Sequence, residues 1–264
     1  MPDRNTKCRI AFVVMTTIRV TREDAIGREA QLSWLLAAVA GMIGAAAFLD
    51  SDGYFVTFMT GNTERAVLQG FDTTRERGVI GPVALNAGIL IIAFVLGVAV
   101  AMYLRRKLWK NNPHGITVLT TLGLFAAGMT DLILNGFHEN DVTYVPIIIV
   151  AFTVGTLNTA FVKKGEVSIP LSYVTGTLVK LGQGVERHVT GGGTVYDWLV
   201  YALLYVGFIT GAVLGGVVAS IIDGGYVLFG AAGLCAVATV VAFFHTDRLR
   251  SHAWPPEPAE QTTA

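Results

Sequence analysis

Apolar and polar residues along this chain fall into long separate blocks instead of alternating with a helical or strand period. Six blocks are apolar nearly throughout: 32–49, 83–104, 116–134, 145–162, 198–222 and 226–244. A hydrocarbon core about 30 Å thick is crossed by roughly 20 helical residues. The blocks have that length, so the pattern predicts six transmembrane helices. Two further segments are only half apolar. Residues 54–70 carry Glu64 and Arg65, and residues 171–187 carry Lys180, Glu186 and Arg187. A charge at a helix centre costs about 2.5–3.5 kcal/mol on insertion, so neither segment is expected to cross alone. The expected fold class is all-α and polytopic, with an extra short Thr-Gly helical segment in each half.

Composition agrees and charge sets the direction. Only 14% of residues are charged, against about 25% in soluble domains. The densest basic loop holds Arg105, Arg106, Lys107 and Lys110, while Glu139 and Asp141 mark an acidic one. With six crossings and the N-terminus inside, every Lys and Arg except Arg65, Arg75 and Arg77 lies on the cytoplasmic side. Eight crossings would put Arg105 to Lys110 and the Lys163–Lys164 pair outside, against the positive-inside rule. The expectation is therefore a multi-pass protein of the cytoplasmic (inner) membrane with both termini cytoplasmic. Residues 1–30 read as a cytoplasmic segment, 31–245 as the membrane domain and 246–264, with three prolines, as a disordered tail. The apolar stretch at 10–14 is too short to span, and no cleavable signal peptide is expected.

The two halves resemble each other. Gly41 pairs with Gly155, Phe94 with Phe208 and Gly97 with Gly211, each 114 residues apart. Thr60-Gly61 has its counterpart in Thr175-Gly176. Repeats over 31–136 and 144–245 would each cross three times, so the second would run opposite to the first. Inverted repeats of this kind build many secondary transporters, with the site where interrupted helices meet. Candidate substrate-binding residues are therefore Thr57, Thr60, Gly61, Asn62, Asn158, Thr175 and Gly176, with Thr63 and Thr177 beside them. The plainer reading makes the Thr-Gly pairs packing surfaces only. Asp131 is either an interfacial residue or part of a polar path, since acids inside a span are functional candidates. Gly207, Gly211 and Gly215 form a small-residue face for helix packing, within the chain or across a homodimer.

A glycine-bearing first span followed by Phe55 and then Met59-Thr60-Gly61-Asn62 resembles the YoaK-like family of bacterial integral membrane proteins, a domain-of-unknown-function family. The resemblance covers about residues 32–245. It implies a six-span membrane protein without an established substrate, sometimes grouped with transporters. Where this family shows an aspartate three residues after the first-span glycine, the chain has Gly44, whereas Asn158 agrees with the asparagine usual in the second half. If that aspartate holds a cation or proton in relatives, this chain has altered or lost the property.

Several classes find no support. Zero net charge gives no bias toward nucleic acid. The histidines (His114, His138, His188, His245, His252) lie at span ends or in loops, and Cys8 and Cys235 lack metal-ligand spacing, so no metal and no cofactor are expected. Gly191 to Gly193 lack the context of a phosphate loop. Trp34, Trp109, Trp198 and Trp254 lie near predicted boundaries, as interfacial anchors do. No catalytic set shares a depth in the membrane, so no enzyme is expected. The leading expectation is a small transporter or channel-like protein, its partners being the lipid bilayer, an unidentified small-molecule or ion substrate and a possible homodimer. The alternative is a non-transporting membrane scaffold or assembly protein.

Overall fold

Long apolar runs free of internal breakers become the longest helices. The structure, a computed structural model, describes residues 26–49, 51, 53–68, 82–109, 114–136, 144–163, 166, 167, 169, 171–222 and 226–249. The first half contains α1 (Arg28–Leu49), α2 (Met59–Leu68), α3 (Pro82–Lys107) and α4 (His114–Asn135). The second contains α5 (Tyr144–Leu157), a ribbon of β1 (Val162–Lys163) and β2 (Glu166–Val167), then α6 (Val174–Val189), α7 (Tyr196–Ala219) and α8 (Tyr226–Leu249). The two strands pair antiparallel, Val162 opposite Val167. Pro82 opens α3 at a position where its missing N–H costs no helical bond. Gly136 and Gly191 follow α4 and α6 with φ of 70° and 77°, the left-handed ending that glycine accommodates without a Cβ clash.

Among the described residues, four helices are long and apolar enough to cross a membrane: Glu29–Leu49, Pro82–Lys107, His114–Leu134 and Tyr196–Ala219. Tyr144–Leu157 and Tyr226–Val241 are apolar but shorter, so the count is four where the pattern predicts six. Their outward faces carry large apolar side chains, with Ile92 60% and Ile133 75% exposed. A soluble monomer rarely shows so much contiguous apolar surface. The chain is a multi-pass α-helical membrane protein. The expected cytoplasmic segment up to residue 25 and the tail beyond residue 249 lie outside the described residues.

The largest departure from the pattern is α5. It spans 14 residues, about 21 Å at 1.5 Å each, and stops at Leu157 where the apolar block runs on to 162. Side chains end it. The Asn158 amide bonds Ser172 instead of facing outward, and the Thr156 and Thr159 hydroxyls donate to the carbonyls of Thr153 and Thr156 at 2.6 and 2.7 Å. Such local bonds compete with the helical ladder. Arg105, expected in a solvated loop, lies instead in the last turn of α3, 5% exposed. Its Nη1 donates to the carbonyls of Thr159 and Ala160 at 2.8 and 3.1 Å. A guanidinium at the end of a helix meets both its free carbonyls and its dipole.

Helix packing joins the halves to each other. The glycine face of α7 lies on α1 in parallel register: a methyl at Gly207, Gly211 or Gly215 would press on the carbonyl of Trp34, Ala38 or Met42. This face is therefore filled within the chain, not left open for a second copy. Gly41 returns the contact against the Phe208 carbonyl. The pairing of α3 with α5 repeats it, Gly97 against Phe152 and Gly155 against Phe94, each residue 114 positions from its counterpart. These two also run parallel, with the Tyr144 hydroxyl donating to the Asn86 carbonyl at one end and Arg105 reaching Thr159 at the other. α4 runs antiparallel to α8: His114 meets Phe243 and Phe125 meets Phe229, at centroid distances of 5.5 and 5.4 Å. Thr120 bonds Thr156 at 3.2 Å where α4 crosses α5. α6 and α7 form a tight hairpin with Gly184 against the Asp197 backbone.

Candidate functional site

The starts of α2 and α6 face one cavity of about 910 Å³. Both helices begin after an irregular stretch that side chains hold in place. Before α2, the Phe55 N–H donates to Asn62 Oδ1 at 3.2 Å and Asn62 Nδ2 donates back to the Phe55 carbonyl. Before α6, Asn158 Oδ1 accepts from the Ser172 N–H at 2.9 Å and its Nδ2 donates to Ser172 Oγ and the Val154 carbonyl, both at 2.9 Å. Asn158 and Asn62 are thus brackets that fix a turn. An Asn158→Ala variant leaves the Ser172 N–H and the surrounding carbonyls short of a partner, a cost of about 1–3 kcal/mol. The expected result is a melting temperature lowered by several degrees for the purified protein, with Ser172→Ala less affected.

Many residues of the cavity wall fall in pairs a constant distance apart in the sequence. Gly44 and Asn158, Phe94 and Phe208, and Val98 and Ala212 line it at a spacing of 114. Thr57 and Ser172, Phe58 and Tyr173, and Thr60 and Thr175 line it at a spacing of 115. A Cβ at Gly44 would come within 2.6 Å of the Thr57 hydroxyl, the contact that Asn158 makes with Ser172 in the other half.

Three hydroxyls stand apart. Each of the other threonines whose side chains are described bonds a nearby backbone or side-chain group, usually a carbonyl three or four residues back. Thr57, Thr60 and Thr175 have no hydrogen-bond partner among the described residues, and all three line the cavity. Thr60 and Thr175 are each the second residue of their helix. No helical carbonyl precedes them to accept, so their hydroxyls are left for whatever fills the space.

Of the candidates from the sequence, Thr57, Thr60, Asn158 and Thr175 line this cavity and the others do not. Gly61 lies under the Phe58 and Phe55 rings, and Gly176 under Tyr173. Asn62 is fully buried in its bracket. The Thr63 and Thr177 hydroxyls bond the Met59 and Tyr173 carbonyls. Asp131 is buried on α4, 4% exposed, and is not among the residues that line this cavity. Ser172 and most of the aromatic wall carry no mark in the sequence, and Arg105 reads there only as a charge in a basic loop. A phenylalanine in an apolar block gives no signal of its own, although the matched pair Phe94 and Phe208 does. Among the described residues no group of His, Cys, Asp and Glu is placed to hold a metal.

A family model described as protein of unknown function (DUF1275) matches residues 32–241. No curated protein and no solved structure matches the chain.

Proposed function

From the premise that the chain belongs to the DUF1275, YoaK-like family, whose description gives no activity, we propose that it is a small transporter or channel-like protein of the cytoplasmic membrane. It is built as a three-plus-three inverted repeat, with the substrate site between α2 and α6. The observation that carries this reading is the cavity lined by matched positions of both halves, with unpartnered hydroxyls at the two helix starts. Helix directions support it. Six crossings, with α2 and α6 entering without spanning, make α1 and α7 parallel, α3 and α5 parallel, and α4 and α8 antiparallel. Eight crossings would make α4 and α8 parallel, against the contacts of His114 with Phe243 and Phe125 with Phe229. Irregular backbone at membrane depth suits a protein-covered or water-lined site. In this reading α5 and α8 complete the six crossings despite their short apolar stretches, both termini are cytoplasmic and no covalent chemistry occurs.

The test is cysteine labelling in intact cells, on a background lacking Cys8 and Cys235. Thr73→Cys and Asn140→Cys are expected to react with an impermeant thiol reagent from outside, and Lys110→Cys and Thr190→Cys are not. Thr60→Cys and Thr175→Cys in purified protein are expected to react with N-ethylmaleimide, because they face water in the cavity. Outside labelling of Lys110→Cys would overturn the six-crossing arrangement. Inert cysteines at both threonines would favour a packing surface over a transport site.

A further inference from the structure

The cavity also has a chemical character that selects among substrates. We propose that it takes an uncharged molecule bearing an aromatic ring and a single hydrogen-bonding group, an assignment that rests on the proposed transport function. Six aromatic rings line it: Phe48, Phe55, Phe58, Phe94, Tyr173 and Phe208. No Asp, Glu, Lys, Arg or His is among its described lining residues. Moving an ion out of water is costly unless an opposite charge and hydrogen bonds receive it. Here the receiving groups are hydroxyls and an amide already engaged with Ser172. Arg105 approaches from behind Thr159, where carbonyls occupy it. The first turns of α2 and α6 both open on the cavity, and their positive ends weigh against a cation.

The rings are held in place, which makes the wall a fixed surface. Phe94 and Phe208 sit where their own carbonyls abut Gly155 and Gly41, so neither backbone can withdraw. Phe55 packs between Phe48, tilted at 31°, and Phe58, edge to face at 85°, with centroid distances of 4.9 and 5.4 Å. A flat ring entering between such faces gains contact area at little conformational cost. The Thr57, Thr60 and Thr175 hydroxyls both donate and accept, so one carbonyl, hydroxyl or ring N–H on the ligand suffices. A volume near 910 Å³ lies within the range of sites for drug-sized molecules, about 300–1,000 Å³.

The test uses the full chain in nanodiscs with Val98→Cys as the reporter, a cavity residue replaced by one of similar size, in the Cys8→Ser, Cys235→Ala background. N-ethylmaleimide labelling is followed alone and with indole, benzoate, benzyltrimethylammonium or cyclohexanol. Indole is expected to slow labelling about tenfold at ten times its dissociation constant, with the three other probes well behind. Phe94→Leu and Phe208→Leu keep apolar bulk and remove the ring. Each is expected to weaken indole protection about fivefold to tenfold, measured against that variant's own labelling rate without probe. A cysteine that fails to label without any probe overturns the water-filled site and the ligand assignment together. Labelling that benzoate or the ammonium slows as well as indole does, or that no probe slows, overturns the ligand class and leaves the transport reading standing. Equal protection by cyclohexanol overturns the requirement for a ring.

Discussion

A Gly211→Val variant is expected to yield little folded protein, and what survives in detergent to melt far below the parent. The Cβ it introduces overlaps the Ala38 carbonyl oxygen, a backbone atom of α1 that no rotamer change can move. Relief requires separating α1 from α7 along a groove that Gly207 and Gly215 share. Overpacking a core costs about 1–3 kcal/mol where side chains can shift, and more where the backbone must. An effect of about 4 kcal/mol belongs to the exceptional class of substitutions. Gly97→Val, at the matching contact with the Phe152 carbonyl, should behave alike. Gly233→Ala, on α8 with nothing within 4 Å, should melt with the parent or slightly higher. Thermal unfolding of the three variants side by side checks this, and a fully stable Gly211→Val would mean that α1 and α7 are not in backbone contact.

Arg105→Ala is expected to have the second largest effect, and a more local one. The variant strips two bonds of 2.8 and 3.1 Å from the carbonyls that follow α5. Hydrogen bonds to charged groups are worth about 1.5–3 kcal/mol each. The loss should concentrate in the segment that Arg105 holds, from Asn158 through the ribbon to Ser172. Limited proteolysis should therefore cut between 158 and 172 faster in Arg105→Ala, with Arg106→Ala, whose side chain is exposed, as the unaffected control. Equal cutting rates would remove Arg105 from this role. Arg105→Lys should fall between, because an ammonium keeps the charge but lacks the planar fork.

These two residues also mark how far the sequence can be read. The glycines at 207, 211 and 215 announce a packing face by their spacing alone, because backbone approach depends on the missing side chain itself. Which helix they meet is not written there: the partner lies about 170 residues away, and the glycine face fits a second copy equally well. Arg105 is legible as a charge and reads as loop, since Arg106 and Lys107 beside it are indeed exposed. Only the carbonyls freed where α5 ends give it a reason to be buried. That early end has the same origin, because block hydropathy counts Asn158 as one polar residue among apolar ones. The threonines are legible as types and not as directions. Thr60 and Thr63 lie one turn apart on α2, yet one hydroxyl is free for the cavity and the other bonds the Met59 carbonyl. The ten-residue helix α2 buries Gly61 and Asn62 and leaves Val67 and Leu68 exposed, so its apolar residues do not mark its inward face.

The cross-pairing of α1 with α7 and α3 with α5 also bears on how the chain is made. Trp34, Ala38 and Met42 wait for partners at 207, 211 and 215. At about 5–20 residues per second, the ribosome needs on the order of 10–30 seconds to supply them. Through that interval the nascent first half stands in lipid with the groove of α1 unfilled, whereas α3 waits for α5 only about a third as long. A chain stopped after residue 136 would hold helices without the neighbours that bury them, a substrate for quality control and not a stable intermediate. Conversely, two fragments divided between residues 136 and 144 and expressed together carry complementary surfaces, and each completes its fold only on meeting the other.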